Sequence, residues 1–265
     1  MINSDSFNIP KTWDQITVGQ FIELNTIDLT QFESEFYLNL EKLAIVTNTS
    51  ADDECWEEMD VMELSNIIKT SEFLFSAPAN KFKTKLENGF VLKAFNDLTL
   101  GEFIDIEYFI QDNVITNFTK ILSILYRKHR LGDWNEIIME PYSVIDINAR
   151  SQEFEDMPIS NVFGIIDAYA QFKNEFVTKY NALFEPVFDD EESEFTKEEL
   201  INDPILQHEM EEEKKLDEKQ KKWAWEKLLF GIAQGDIIKI NQVTSLGLIY
   251  VFNMLAMRKE LGITD

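Results

Sequence analysis

The sequence predicts a mostly α-helical fold: a degenerate tandem repeat of helical units with a small β-hairpin, followed by a C-terminal helical module. Three observations carry that expectation. A stretch near the start, Ile16-Thr17-Val18-Gly19-Gln20-Phe21-Ile22, returns as Leu98-Thr99-Leu100-Gly101-Glu102-Phe103-Ile104, with six of its seven positions identical or chemically alike. Twenty-one Phe stand against nine Gly and six Pro, a balance that favours long helices over a turn-rich β architecture. Asn88-Gly89 lies between two alternating runs, the strongest short signal for a hairpin.

Each copy of the repeated stretch reads as a helix start. Thr17 and Thr99 are N-caps, Gln20 and Glu102 three residues on complete capping boxes, and Ile16/Phe21 and Leu98/Phe103 are placed as hydrophobic staples. Residues 4–10 look extended and end at Pro10, and the first capped helix covers 17–25. A second helix is expected from Phe32 to Val46, stopped by Asn48-Thr49-Ser50, and a third where Val61, Leu64, Ile67 and Phe73 recur at helical spacing. These make up a first helical unit, residues 1–80. The hairpin, Phe82 to Glu87 and Phe90 to Phe95 around a type I′ turn, opens a second unit over 81–188 and needs helices or residues 4–10 to pack on.

The second unit repeats the order of the first. Asn39-Leu-Glu-Lys-Leu echoes in Asn117-Phe-Thr-Lys-Ile, and Leu64-Ser65-Asn66 in Ile159-Ser160-Asn161. Ile121 to Arg127 reads as a helix, Lys128 to Asp156 as an insertion, and Ile159 to Phe184 as one long helix with Pro158 at its first turn. Residues 189–222 read as an acidic linker and charged helix; from 185 to 222 there are 15 Asp or Glu and six Lys or Arg. Residues 223–265 turn apolar again, with Gly235-Asp236 between two helices and Thr244 or Ser245 capping the last.

With 49 acidic and 24 basic residues, the chain carries a formal charge of −25. That charge repels phosphate backbones and anionic lipid, which argues against direct nucleic-acid or membrane binding and leaves solubility or basic protein partners as its use. No apolar run approaches the ~18 residues of a membrane span. Met1-Ile2-Asn3-Ser4-Asp5 is polar and lacks the basic start of a secretory signal, and a single cysteine, Cys55, cannot close an internal disulfide. A reducing cytoplasm, or a particle assembled there, is the expected location. The acidic neighbours of Cys55 are expected to disfavour its reactive thiolate, so Cys55 reads as inert.

The sequence holds no Gly-rich phosphate loop and no nucleophile elbow. His129 and His208 each stand alone without metal-ligand spacing, and carboxylate pairs are too common in so acidic a chain to select a site. The expectation is a protein without catalytic, cofactor-binding or metal-binding residues. Candidate interface residues are Trp223 and Trp225, which at i,i+2 cannot share one helix face, and the basic cluster Arg127, Lys128 and Arg130.

Leu98-Thr-Leu-Gly-Glu-Phe-Ile-Asp, Ile121-Leu-Ser-Ile-Leu-Tyr-Arg, Phe154-Glu-Asp-Met-Pro-Ile, and Lys222-Trp-Ala-Trp with Ile232-Ala-Gln-Gly-Asp-Ile together resemble helical virion and tail-assembly proteins of tailed bacteriophages, crAss-like phages among them. The resemblance covers most of residues 95–260 and supplies no catalytic positions. That group includes both virion components and tail-assembly chaperones, and the resemblance does not choose between them. The repeated helical unit, the charged arm and the separate terminal module lead to the expectation of a non-enzymatic structural or cargo protein that binds other virion subunits near the head–tail junction or tail, located in the virion or in the host cytoplasm during assembly, with a homo-oligomeric ring among the assemblies allowed. Its alternative is a tail-assembly chaperone absent from the mature particle. A third expectation, from charge alone, is an acidic inhibitor that mimics nucleic acid.

Overall fold

A computed structural model describes residues 9–51, 56, 58–131, 137–143, 146–184 and 224–263. Among them are eleven α-helices: α1 Val18–Thr26, α2 Glu35–Thr47, α3 Val61–Thr70, α4 Leu100–Asn113, α5 Phe118–Leu125, α6 Ile147–Glu155, α7 Ile165–Lys179, α8 Asn181–Phe184, α9 Ala224–Ile232, α10 Ile237–Thr244 and α11 Leu248–Glu260. Three strands, β1 Phe90–Leu92, β2 Tyr126–Leu131 and β3 Ile137–Met139, form an antiparallel sheet in the order β1-β2-β3. The protein is mostly helical with one small sheet. Two units interleave in sequence: Met1–Phe95 with Asp105–Asn174, and Asn96–Ile104 with Glu175–Asp265. The acidic linker 189–222, Cys55 and His208 lie outside the described residues.

The first unit is built around α5, whose residues Phe118, Thr119, Ile121, Leu122, Ser123, Ile124 and Leu125 are all buried. A helix that is buried all round needs apolar or internally satisfied side chains on every face. Ser123 meets that need by donating to the Lys120 carbonyl, while its own carbonyl accepts from Arg150 on α6. Phe21 of α1 packs edge-on against Phe163 and tilted against Phe118. A smaller cluster of Leu43, Trp56, Met59, Leu64 and Ile67 joins α2 to α3.

Both expected capping boxes form. The Thr17 hydroxyl accepts from the Gln20 amide at 3.1 Å while Gln20 Oε1 accepts from the Thr17 amide at 3.0 Å, and Thr99 and Glu102 repeat the exchange at 3.2 and 2.7 Å. The staple residues Ile16, Phe21, Leu98 and Phe103 are all buried. Sequence alone did not show what each start holds. Thr17 bridges Pro158, with Val18 N–H donating to Met157 O and Ile159 N–H to Ile16 O. Thr99 bridges Gly247, with Leu100 N–H donating to Leu246 O and Leu248 N–H to Leu98 O. In each case two helix N-caps face one another across a two-bond antiparallel clasp.

The clasp explains the glycine inside the repeated stretch. A Cβ on Gly19 would lie 3.3 Å from Glu155 O, and one on Gly101 would lie 3.0 Å from Thr244 Cβ and 3.2 Å from Thr244 O. Glu155 and Thr244 each stand three residues before the bridged cap, so both glycines make room for the same turn of the incoming chain.

Gln20 reaches beyond its own helix. Gln20 Nε2 donates to Ile45 O, Val46 O and Asn48 Oδ1 at 3.1, 3.2 and 3.3 Å, so one side chain caps the start of α1 and the end of α2. Gln20→Glu would keep the first role and replace the donor with an anionic oxygen facing three acceptors at a helix C-terminus. The expected loss is about 2 kcal/mol of unfolding free energy at neutral pH, read by urea titration.

Four local expectations are corrected. The hairpin loop is three residues, Glu87-Asn88-Gly89, with Gly89 N–H donating to Leu86 O and Leu86 N–H to Phe90 O; only Gly89 (φ +86°) has positive φ, so the turn is not type I′. Its first arm meets β1 at the Lys85–Val91 bridge, with Leu92 N–H donating to Thr84 O, and the strand partner of β1 is β2, Phe90 opposite Lys128 and Leu92 opposite Tyr126. The Ile121–Arg127 helix stops at Leu125, because Tyr126 enters the sheet and Lys93 N–H claims the Leu125 carbonyl. The long helix from Ile159 is a 3-10 turn, Ile159–Asn161, then α7, then α8, broken where Gly164 meets the chain at Asn80-Lys81. The last helix is capped by Gly247, while Thr244 and Ser245 spend their hydroxyls on Asn241 O and Gln242 O.

Candidate protein-docking surfaces

The basic cluster on β2 divides between interior and surface. Val91 lies opposite Arg127 in the sheet, and Arg127 is 1% exposed. Its Nε donates to Ile124 O at 3.2 Å and its Nη1 to Glu140 O at 3.3 Å, and the guanidinium stands 5.0 Å over the Tyr142 ring. The Tyr142 hydroxyl in turn donates to Asp105. Arg127 thus ties β2 to the chain after β3 from inside, where a planar cation can serve carbonyls and an aromatic face together. Lys128 is partly exposed, ion-paired with Glu153 and 4.9 Å over the Phe90 ring. Arg130 sits in the β2–β3 register opposite Ile138, beside His129 opposite Met139. Trp225 packs edge-on against Phe103, ring centroids 4.9 Å apart, within the second unit. Trp223 lies outside the described residues.

The first unit also buries a carboxylate that sequence reasoning missed. Glu107 on α4 is 1% exposed; it accepts from the Tyr169 hydroxyl at 3.0 Å and pairs with Lys173, both on α7. The i,i+4 spacing of Tyr169 and Lys173 is the only trace of this arrangement in the sequence. Burial, and next the Glu107 charge, push the Tyr169 pKa well above its ordinary value of 10.0. Burial likewise raises that of Tyr126, whose hydroxyl donates to Lys83 O at 2.8 Å. Groups whose pKa is raised by folding contribute stability that is intact below the ordinary value and is lost as pH climbs from there toward the native one. Unfolding free energy should therefore fall above pH 10 by roughly 1.4 kcal/mol per pH unit for each of the two tyrosines. Tyr126→Phe and Tyr169→Phe should each flatten that fall in urea titrations at stepped pH. In the wild type, Tyr126 and Tyr169 should ionise late in alkaline absorbance titration.

A polar cleft of about 400 Å³ opens between α1 and α2, lined among others by Glu23, Asp28, Gln31, Phe32 and Glu41. Its acids are partly spoken for: the Thr30 hydroxyl and amide and the Gln31 side chain hold the Asp28 carboxyl below its usual range. Among the described residues no group of three or more His, Cys, Asp or Glu is placed to hold a metal, and no helix is long and apolar enough to cross a membrane.

The most distinctive surface is apolar. Sixteen large hydrophobic side chains are exposed among the described residues, and nine fall within 230–263: Phe230, Ile237, Ile238, Leu246, Tyr250, Met254, Met257, Leu261 and Ile263. Ile237 and Ile238, on the first turn of α10, are 74% and 85% exposed. On α11, Leu248, Val251 and Phe252 are buried, with Phe252 against Phe176 and Tyr180 at 4.7 and 5.4 Å. Tyr250, Met254 and Met257 on the same helix face outward. A helix that is apolar on both its buried and its exposed side shows little amphipathic periodicity, which is why its sequence did not reveal an outer face. Concentrated apolar exposure of this kind marks binding surfaces.

Comparison with protein-family models, with curated proteins and with solved structures finds no match to this chain.

Proposed function

We propose that this chain is a non-enzymatic structural or cargo protein of a tailed-phage particle, binding other particle subunits near the head–tail junction or tail. The observation that carries the proposal is the exposed apolar surface of residues 230–263 on a chain of formal charge −25. Strong net charge keeps such a protein soluble although it carries an apolar face. The phage assignment itself rests on the sequence resemblance.

A duplicated scaffold suits this role. The two capped starts, their clasps at Pro158 and Gly247, and the glycines fitted against Glu155 and Thr244 agree position by position, which supports descent of both helical units from one building block. Duplication would give one chain two like frameworks on which to present different surfaces.

Quantitative mass spectrometry of purified particles beside the infected-cell lysate tests the proposal. A fixed copy number in particles is expected, with an Ile237→Asp/Ile238→Asp double variant depleted from them while still folded and present in the lysate. Wild-type protein confined to the lysate would overturn the virion role and turn attention to the chaperone alternative.

A further inference from the structure

We infer that the outer face of α11 is a self-association seam, joining two copies of this chain through antiparallel packing of that helix. This goes beyond the phage assignment and does not depend on it. The exposed residues Tyr250, Met254, Met257 and Leu261 follow steps of four, three and four, the spacing of a helix–helix seam. That series reads the same from either end. A twofold axis between Met254 and Met257 places Tyr250 opposite the partner subunit's Leu261 and Met254 opposite the partner subunit's Met257, so one stripe is its own complement.

Charge selects a second copy over a basic partner. The described stretch 224–263 carries Lys227, Lys239, Arg258 and Lys259 against Glu226, Asp236 and Glu260, so it is close to neutral although the whole chain is strongly acidic. It offers no acidic rim to attract a basic helix, and low charge at the seam makes its desolvation cheap. Antiparallel packing also brings each helix N-terminus to the other's C-terminus and keeps the two Arg258-Lys259 ends apart, whereas parallel packing would set like ends and like charges side by side.

Four half-exposed side chains per copy along a helix about 20 Å long would bury on the order of 1,000 Å² in total, near the lower bound for a specific interface. The association should therefore be reversible and micromolar. Methionines at the centre suit a seam that opens and re-forms.

Sedimentation equilibrium of the full chain should show monomer giving way to dimer as concentration rises through the micromolar range. Met254→Glu should weaken the dimer at least tenfold, and Ile238→Glu, on another helix, should leave it unchanged. A wild type that stays monomeric, or a dimer lost with Ile238→Glu and kept with Met254→Glu, would overturn the seam. Orientation is read in a Cys55→Ser background by mild oxidation. Tyr250→Cys and Leu261→Cys chains should cross-link when mixed and remain single when oxidised separately. Cross-linking of either variant with itself, or none in the mixture, would exclude the antiparallel arrangement.

Discussion

Gly164→Ala should cost about 3 kcal/mol of stability, a large effect for the addition of one methyl group. Its Cβ would stand 2.6 Å from Lys81 N, 2.7 Å from Asn80 Oδ1 and 2.9 Å from Asn80 C, and two of these three atoms are backbone. The strap cannot simply retreat. Gly164 N–H donates to Lys81 O, Lys83 N–H donates to Asn161 O, the Asn80 side chain donates to Asp167, and the Tyr126 hydroxyl donates to Lys83 O. Moving residues 80–83 away would break two or three of these bonds, each worth roughly 1 kcal/mol. Urea unfolding measures the loss, and limited proteolysis should show earlier cleavage near Lys81. A change below about 0.5 kcal/mol would mean that the strap shifts freely and that the hydrogen bonds around it do not hold it in place.

Phe103→Ala is the second large effect expected, at about 3–5 kcal/mol. Phe103 is fully buried, is half of the staple at the start of α4, and packs on Phe176 at 5.5 Å and Trp225 at 4.9 Å. Its removal would take the staple from the clasp with Gly247 and open a cavity beside both rings. Phe21→Ala is the matching change in the other unit, where the ring meets Phe118, Phe163 and Trp13. If the two starts do the same structural work, both variants should fall in that range. The Phe103 variant should in addition shift tryptophan emission to the red as Trp225 meets water. A loss under 1 kcal/mol from Phe103→Ala would show that the staple is dispensable and that bridge hydrogen bonds alone hold the clasp.

Local chemistry explains which parts of the fold were legible. Capping boxes, staples and the helix stop at Asn48-Thr49-Ser50 depend on residues within four or five positions of one another, and each formed as the residues suggested; the structure adds that Asn48 stops α2 in the αL conformation and that Asp236 caps α10. Gly235, with φ +73°, likewise breaks the chain between α9 and α10 where Gly-Asp indicated a division. The errors lie where distant chain intervened. Residues 121–127 have good helical spacing, but Tyr126 and Arg127 are claimed by β1, which lies far back in sequence. Asn88-Gly89 signalled a turn correctly, yet the pairing beyond it set a three-residue loop with Leu86 and Phe90 as the closing residues.

The candidate surfaces divide in the same way. Residue type marked Trp225 and the β2 cations as notable, but only packing put Arg127 inside, among two carbonyls and the Tyr142 ring, and Trp225 against Phe103. Nothing in the order of residues brings Glu107 to Tyr169 and Lys173, since that contact joins two helices separated by α5, β2, β3 and α6.

By itself the sequence determined the capped starts at Thr17 and Thr99, the stop of α2 at Asn48, the break at Gly235-Asp236 and the strong acidity of the chain, because caps, breakers and charge act through neighbours along the chain. Only the tertiary structure decided that each capped start clasps a second start far away, that Gln20 serves two helices, and that α11 turns an apolar face outward. Those outcomes depend on which surfaces meet, and a helix apolar on both sides carries no mark of which side will be covered.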